Sequence, residues 1–329
     1  MIENNKKGSL IISLDFEMMW GGIDIWTPDD YGMSHVEQVR EVIKRLTNVF
    51  NKFQVHATFA TVGLIMQRNK EEAISHFPLS IPSYKNKKLS PYNNNFINRI
   101  PKKDEHLYFA HDLIDFLKKQ SFIEIGTHTY SHYYCWEEGQ TVEQFKDDLK
   151  KSIDVALSNG IKIDSIVFPR NQVSPLYLDI CKQYGIKAYR GNALKYFEEP
   201  KNKWAEMSSR LLRLIDAYIN IGGKTTIPYN HINMSESPLN IRASRFLRPY
   251  NSKLSMFEWL RLYRIKREMK YAAKHQEIYH LWWHPHNFGQ NIDKNISFLT
   301  EILQYYQYYH KKYGMQSFTM NELFEYLKN

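Results

Sequence analysis

The sequence predicts an α/β fold, a distorted (β/α)7 barrel of parallel strands wrapped by outer helices. Three observations lead there. Strand-like and helix-like segments alternate from one end of the chain to the other. Several apolar runs stop at polar, chemically capable residues, as strands do at the C-terminal rim of a barrel. At 329 residues and 43% hydrophobic, the chain can bury one large core. No repeat or low-complexity linker divides it. The expectation is therefore a single domain over 1–329, with insertions near 67–105 and 193–275.

The first strand is the apolar run Ser9-Leu10-Ile11-Ile12-Ser13-Leu14, which ends in Asp15-Phe16-Glu17. A helix over about 35–53 follows, because Val36, Val39, Ile43, Leu46 and Phe50 recur at helical spacing. Residues 56–63 read as the second strand. The stretch 67–105, rich in Lys, Asn and Pro, reads as an insertion or a lid. Leu113, Phe116 and Leu117 mark another apolar helix face, and 122–127 form the third strand. Thr141-Val142-Glu143-Gln144 is a capping-box pattern that opens a helix to about 157. The fourth strand runs into Pro169-Arg170-Asn171. A short helix over 176–184 stops at Gly185, and 186–190 form a fifth strand. Helices over 204–219 and 256–275 flank a short sixth strand at 224–227. The seventh strand, 279–283, runs into His284-Pro285-His286-Asn287, and helices over 294–313 and from Thr319 close the chain.

The chemistry sits where these strands end. His128 and His132 are four residues apart, so on one turn both imidazoles can reach one cation. A carboxylate would complete a site of two His and one acid with open positions. Asp15 and Glu17 share a side if the chain stays extended. One of them can bind metal while the other acts as general base. Arg170, at another strand end, can pair with a carboxylate such as Asp15 and hold it ionised. His284 is a candidate general acid. His286, Asn171, Trp20 and Arg190 lie close to the same strand ends and are the candidate substrate-binding side chains.

Together these motifs resemble the polysaccharide deacetylases, the NodB-like proteins of carbohydrate esterase family 4. His128-Thr129-Tyr130-Ser131-His132 matches the family's H-[ST]-x-x-H metal motif, and Ala57-Thr58-Phe59-Ala60-Thr61-Val62-Gly63 resembles its second strand. Leu14-Asp15-Phe16-Glu17 is similar to the variant whose two acids are separated by one residue. The resemblance implies a (β/α)7 barrel. It implies Asp15 as base and Glu17, His128 and His132 as ligands of one divalent metal: zinc before cobalt, nickel or iron. It implies Arg170 as holder of the base and His284 as the acid that protonates the leaving group. The chain departs from the pattern at Arg170-Asn171-Gln172-Val173, which lacks a proline-glycine turn, and at Tyr189-Arg190-Gly191-Asn192, which lacks an acidic-tryptophan motif.

The implied activity is metal-dependent removal of an N-acetyl group from an amino sugar, or from its sugar-nucleotide or lipid-linked glycan form, in surface-polysaccharide biosynthesis. The competing readings are hydrolysis of a non-sugar C–N bond, of cyclic imide or ureide type, and a non-catalytic glycan-binding barrel. Two cysteines and an N-terminal apolar run that meets Asp15 within a few residues suggest a cytoplasmic setting. The net charge of +9 favours acidic partners. No nucleic-acid-binding motif is present, so nucleic acid is not expected. Ten Lys and Arg fall between Arg242 and Lys274, interleaved with Phe246, Phe257, Trp259 and Tyr263. They can hold a sugar diphosphate, touch an anionic membrane peripherally, or form the solvated face of a barrel helix. Of these, Arg245, Arg248 and Arg264 are expected to face a phosphate-bearing substrate. The oligomeric state is not fixed by the sequence.

Overall fold

A computed structural model describes residues 6–193 and 203–328, with only the backbone of 203–210. Residues 194–202, part of the second expected insertion, lie outside the described residues. The strands are β1 (Ser9–Phe16), β2 (Ala57–Thr61), β3 (Ile123–Thr127), β4 (Ser165–Ile166), β5 (Ala188–Tyr189), β6 (Ile227–Pro228), β7 (Leu239–Asn240), β8 (Arg245–Phe246), β9 (Glu277–Trp283) and β10 (Gln316–Phe318). The longer helices are α1 (Val39–Phe53), α2 (Lys70–Ser75), α3 (His111–Leu117), α4 (Val142–Ser158), α5 (Pro175–Gln183), α6 (Lys203–Tyr218), α7 (Glu258–His275), α8 (Ile292–Tyr313) and α9 (Met320–Lys328).

β1 is the central stave. All eight of its residues are buried, as expected of a parallel strand covered on both faces. It pairs in parallel with β2 and with β9, and β10 pairs with its first three residues. The sheet continues in parallel through β3, β4 and β5 to β7. The segment 239–246 then bridges the gap. Its first half pairs with β5 as β7, and its second half pairs with β9 as β8. Gly191 N–H donates to the Ile241 carbonyl, and Ser244 N–H donates to the His280 carbonyl. The circuit therefore closes with seven parallel staves, the expected barrel. Its distortion lies in the split stave 239–246 and in β10, neither of which sequence reading found, and in β6, the expected sixth strand, which runs antiparallel beside β9 instead of serving as a stave.

Helix patterns follow the expected faces. α1 buries Val39, Val42, Ile43, Leu46, Phe50 and Phe53 and ends on Gln54 in the left-handed region. At α4, Thr141 and Gln144 form the capping box reciprocally. The stretch 67–105 is anchored to the body: Tyr84, Leu89, Ile97 and Ile100 are buried, and Lys85 N–H donates to the Glu138 carbonyl. It packs as part of the shell through these aromatic and aliphatic side chains scattered among its polar residues. No described helix is long and apolar enough to cross a membrane.

Candidate active site

The C-terminal rim collects the strand-end motifs because parallel staves present those ends together. Asp15, near the end of β1, is buried. Arg190, just past β5, reaches it with two parallel bonds, Nη1 to Oδ1 at 2.5 Å and Nη2 to Oδ2 at 2.7 Å. Burial pushes the Asp15 carboxyl up, but the Arg190 charge and hydrogen bonds together with the His128 and His284 charges outweigh it, and the net direction is down. Asp15 is thus held as carboxylate. Arg190 also donates to Ser13 Oγ at 3.2 Å and to Asn171 Oδ1 at 3.0 Å, and its guanidinium lies 4.1 Å from the Trp282 ring centre. Ser13 meets His280 Nε2 at 2.8 Å, and His280 Nδ1 lies 3.1 Å from the Arg242 carbonyl. Read from its carbonyl end, this chain has His280 neutral: Nδ1–H donates to Arg242, and Nε2 accepts from Ser13. Burial pushes its pKa down to about 3.

Glu17 lies two residues beyond Asp15 and faces the histidines. Its Oε1 is 3.1 Å from His128 Nε2, 3.2 Å from His132 Nε2 and 3.5 Å from His284 Nε2. His128 Nδ1 lies 2.8 Å from the Val167 carbonyl, so that nitrogen carries a proton, and in the neutral tautomer Nε2 is left to present its lone pair to Glu17. A lone pair facing a carboxylate in a buried site is unfavourable unless a cation lies between them. Glu17, His128 and His132 have ligand atoms within 4.8 Å of one another, as have Asp15, Glu17 and His284. The donor set of two imidazoles and a carboxylate suits zinc or a neighbouring divalent metal.

Local backbone geometry makes this convergence. Met18, Thr129, His132, Arg170 and Asn171 all sit at positive φ between 49° and 63°, an uncommon conformation for non-glycine residues that clusters here at the rim. The turn carrying the two histidines is tied down by Asp148 of α4, which accepts from Tyr130 N–H at 2.7 Å, from Ser131 N–H and from Ser131 Oγ. Burial raises the Asp148 pKa to about 6, and those hydrogen bonds oppose the rise. Gly21 is required by close approach: a Cβ there would lie 2.0 Å from Glu17 Oε2.

The cleft over these groups, about 280 Å³, is lined by Asp15, Glu17, His132, Asn171, His284 and His286, with Trp26 and Tyr31 on one wall. His284 Nε2 is 3.7 Å from Asp15 Oδ2, and its Nδ1 lies 3.2 Å from the Asn287 amide nitrogen. Burial lowers the His284 pKa, but the charges of Glu17 and Asp15 outweigh it and the net direction is up. His286 is buried, stacks on His284 at 5.0 Å and leaves Nδ1 without a partner among the described residues.

Three expectations need correction. Arg170 does not hold Asp15. Its turn places it at φ 51°, where it lies over the Tyr134 ring and pairs with Asp24 at 3.2 Å. The position against Asp15 belongs to Arg190, which sits on the next stave and is buried. Trp20 does not line the cleft. The turn Met18–Gly22 folds it into the core, where its Nε1 donates to the Tyr108 carbonyl at 2.8 Å and its ring meets Phe96, Tyr108 and Phe109 edge-on. Trp26, stacked on Tyr31 at 4.1 Å, takes that wall instead. Arg245 and Arg264 are not free to meet a phosphate, because Glu268 and Asp216 neutralise both. Ser13, His280, Trp26 and Tyr31 were missed altogether. The first two read as ordinary strand residues, and the others sit in an aperiodic loop.

A parallel barrel with a His-His-carboxylate cluster and an ion-paired aspartate on its C-terminal rim has a donor set that could hold a divalent cation. The polysaccharide deacetylase family model matches residues 25–189, half of the chain, and the chain belongs to that family. That span contains His128 and His132, whereas Asp15, Glu17 and His284 lie outside it. No curated protein matches the sequence. Among solved structures, a Mycobacterium smegmatis protein named as a polysaccharide deacetylase superposes with a TM-score of 0.62 at 11% identity, covering 99% of this chain and 91% of its own. A Pseudomonas aeruginosa protein named likewise gives 0.52 at 12% identity, with 97% and 90% covered. Puue allantoinase gives 0.53 at 11%, with 98% and 91% covered. At these identities the likeness is one of fold.

Proposed function

We propose that the protein is a metal-dependent N-deacetylase acting on an amino sugar, in free, nucleotide-linked or lipid-linked form, during surface-polysaccharide biosynthesis in the cytoplasm. The observation that carries this reading is the meeting of Glu17 Oε1 with the Nε2 atoms of His128, His132 and His284 beside an arginine-held Asp15. Glu17, His128 and His132 would hold the cation, with zinc the first candidate. A divalent cation there supplies Lewis acidity toward the acetyl carbonyl and acidifies water. Asp15, kept ionised by Arg190, takes the proton of the attacking water. His284, facing the same point from β9, gives a proton to the departing amine nitrogen. Trp26, Tyr31 and His286 form the wall against which a sugar ring packs, Arg190 acts by positioning Asp15, and Asn171, which accepts from Arg190, lines the cleft beside the substrate.

The test is acetate release from N-acetylated sugars, sugar nucleotides and oligosaccharides by zinc- or cobalt-loaded protein, with allantoin as a parallel substrate. Acetate release that a chelator abolishes is the expected result. Ring opening of the ureide without acetate release would favour the non-sugar C–N reading, and inertness toward every substrate would favour the binding-protein reading.

A further inference from the structure

A second cavity of about 280 Å³ shares the Trp282 and His284 wall with the catalytic cleft. Apolar residues Ala217, Ile227, Ala243 and Phe246 make much of its lining, yet Arg242, Arg245 and Arg248 line it too. The charges around it do not cancel. Asp216 and Glu268 serve Arg245 and Arg264, and Glu258 serves Arg261. Among the basic residues that line it, Lys224 is exposed and donates to the Tyr271 hydroxyl, whereas Arg242 and Arg248 are half-buried and form no ion pair with any described residue. Burial pushes the Arg248 guanidinium below its ordinary value, and the Arg213, Arg261 and Arg245 charges push it the same way. A half-buried cation without a counter-charge is costly, and guanidinium groups bind phosphate oxygens in pairs.

We infer that this cavity is an anion subsite in which Arg242 and Arg248 bind a phosphate or diphosphate carried by the substrate whose acetyl group is removed in the neighbouring cleft. This rests on the deacetylase reading and narrows it to glycosyl phosphates. The two pockets adjoin at Trp282 and His284, and the proposal has one substrate occupying both. Two sources carry that chemistry: a nucleotide-linked sugar and a polyprenyl-linked one. The second deserves its own arm because α6, which lines the cavity with Asp216 and Ala217, exposes Leu211, Leu212 and Ile215 on its solvent side.

The experiment titrates pyrophosphate, UDP-N-acetylglucosamine and polyprenyl diphosphate-linked N-acetylglucosamine in detergent into the full chain. Each titration is run with and without a chelator, so that the metal centre cannot take the anion. Wild type is compared with Arg242→Gln, Arg248→Gln and the double variant. Pyrophosphate should bind wild type under chelation, and each Gln substitution should weaken it by about tenfold or more, with metal content unaltered. The tighter of the two sugar ligands names the source. No pyrophosphate binding by wild type, or equal affinity in the double variant, overturns the subsite. If the Gln variants do not fold, Arg242→Lys with Arg248→Lys decides: loss of paired contacts should weaken pyrophosphate several-fold, and unchanged affinity overturns the proposal. Arginine-dependent pyrophosphate binding without acetate release from any substrate would leave the subsite standing and sink the deacetylase reading.

Discussion

Two single residues separate this account from a generic barrel. Arg190 and Arg170 are both strand-end arginines, but their surroundings differ. Arg190 is buried with both of its terminal nitrogens on Asp15, whereas the Arg170 side chain is 38% exposed beside Asp24. Removing one partner of a buried pair leaves an uncompensated charge, so Arg190→Gln should cost about 3–5 kcal/mol in denaturant unfolding. Arg170→Gln should cost under about 1 kcal/mol. Equal losses would place the base's partner elsewhere. Gly21 gives a second contrast. Gly21→Ala forces Glu17 Oε2 aside, and since that atom ends a flexible side chain, the cost should fall on the metal and not on the fold. Its zinc content should drop well below wild type while its melting temperature moves little. A fully loaded Gly21→Ala protein would contradict the assignment of Glu17 as ligand.

At the scale of elements, β1, the end of β5 and β9 carry a buried polar thread from Asp15 through Arg190 and Ser13 to His280. His280 folds neutral, with its pKa pushed from the ordinary 6.5 to about 3. Its folded value lies below its unfolded value, so its contribution is complete above about pH 6.5. It is lost as pH falls from there toward 3, because the unfolded chain gains the proton. The loss approaches about 1.4 kcal/mol per pH unit. Urea midpoints of chelated protein between pH 7 and 4.5 should therefore fall more steeply for wild type than for His280→Asn, and parallel curves would show that His280 titrates normally. The α4 carboxylate Asp148 should matter through the turn it holds. Asp148→Ala frees the Tyr130 and Ser131 amides, so metal affinity should weaken by about 10–100-fold, the usual cost of losing a supporting contact. An affinity within twofold of wild type would mean that the turn holds itself.

These elements also show what was legible in the sequence. β1, the capping box of α4 and the His128–His132 turn were readable because each is local: an apolar run, a four-residue cap, a spacing that ends on chemistry. So was the gathering of strand ends, which parallel topology forces. The partner of Asp15 was not. Choosing Arg190 over Arg170 depends on which stave lies across the barrel and on a single turn at positive φ, and neither leaves a periodic trace. Trp20 failed for a similar reason, since one left-handed residue at Met18 decides whether that indole faces the core or the cleft. The neutralisation of Arg245 and Arg264 by Asp216 and Glu268 joins α6, α7 and β8, a long-range pairing that a run of basic residues cannot announce.

For the molecule as a whole, closure of the barrel by 239–246 ties the catalytic cleft to the neighbouring cavity: the stave that completes the ring also carries Arg242, and His284 belongs to both pockets. The account's central claim is that Glu17, His128 and His132 form one divalent metal centre at the rim. Its most direct test is elemental analysis of unchelated wild type beside Glu17→Gln, His128→Ala and His132→Ala, each shown to be folded by circular dichroism. About one metal per wild-type chain, and a small fraction of that in each variant, is the predicted result. Equal metal content in all four proteins, or none in the folded wild type after incubation with zinc, would contradict it.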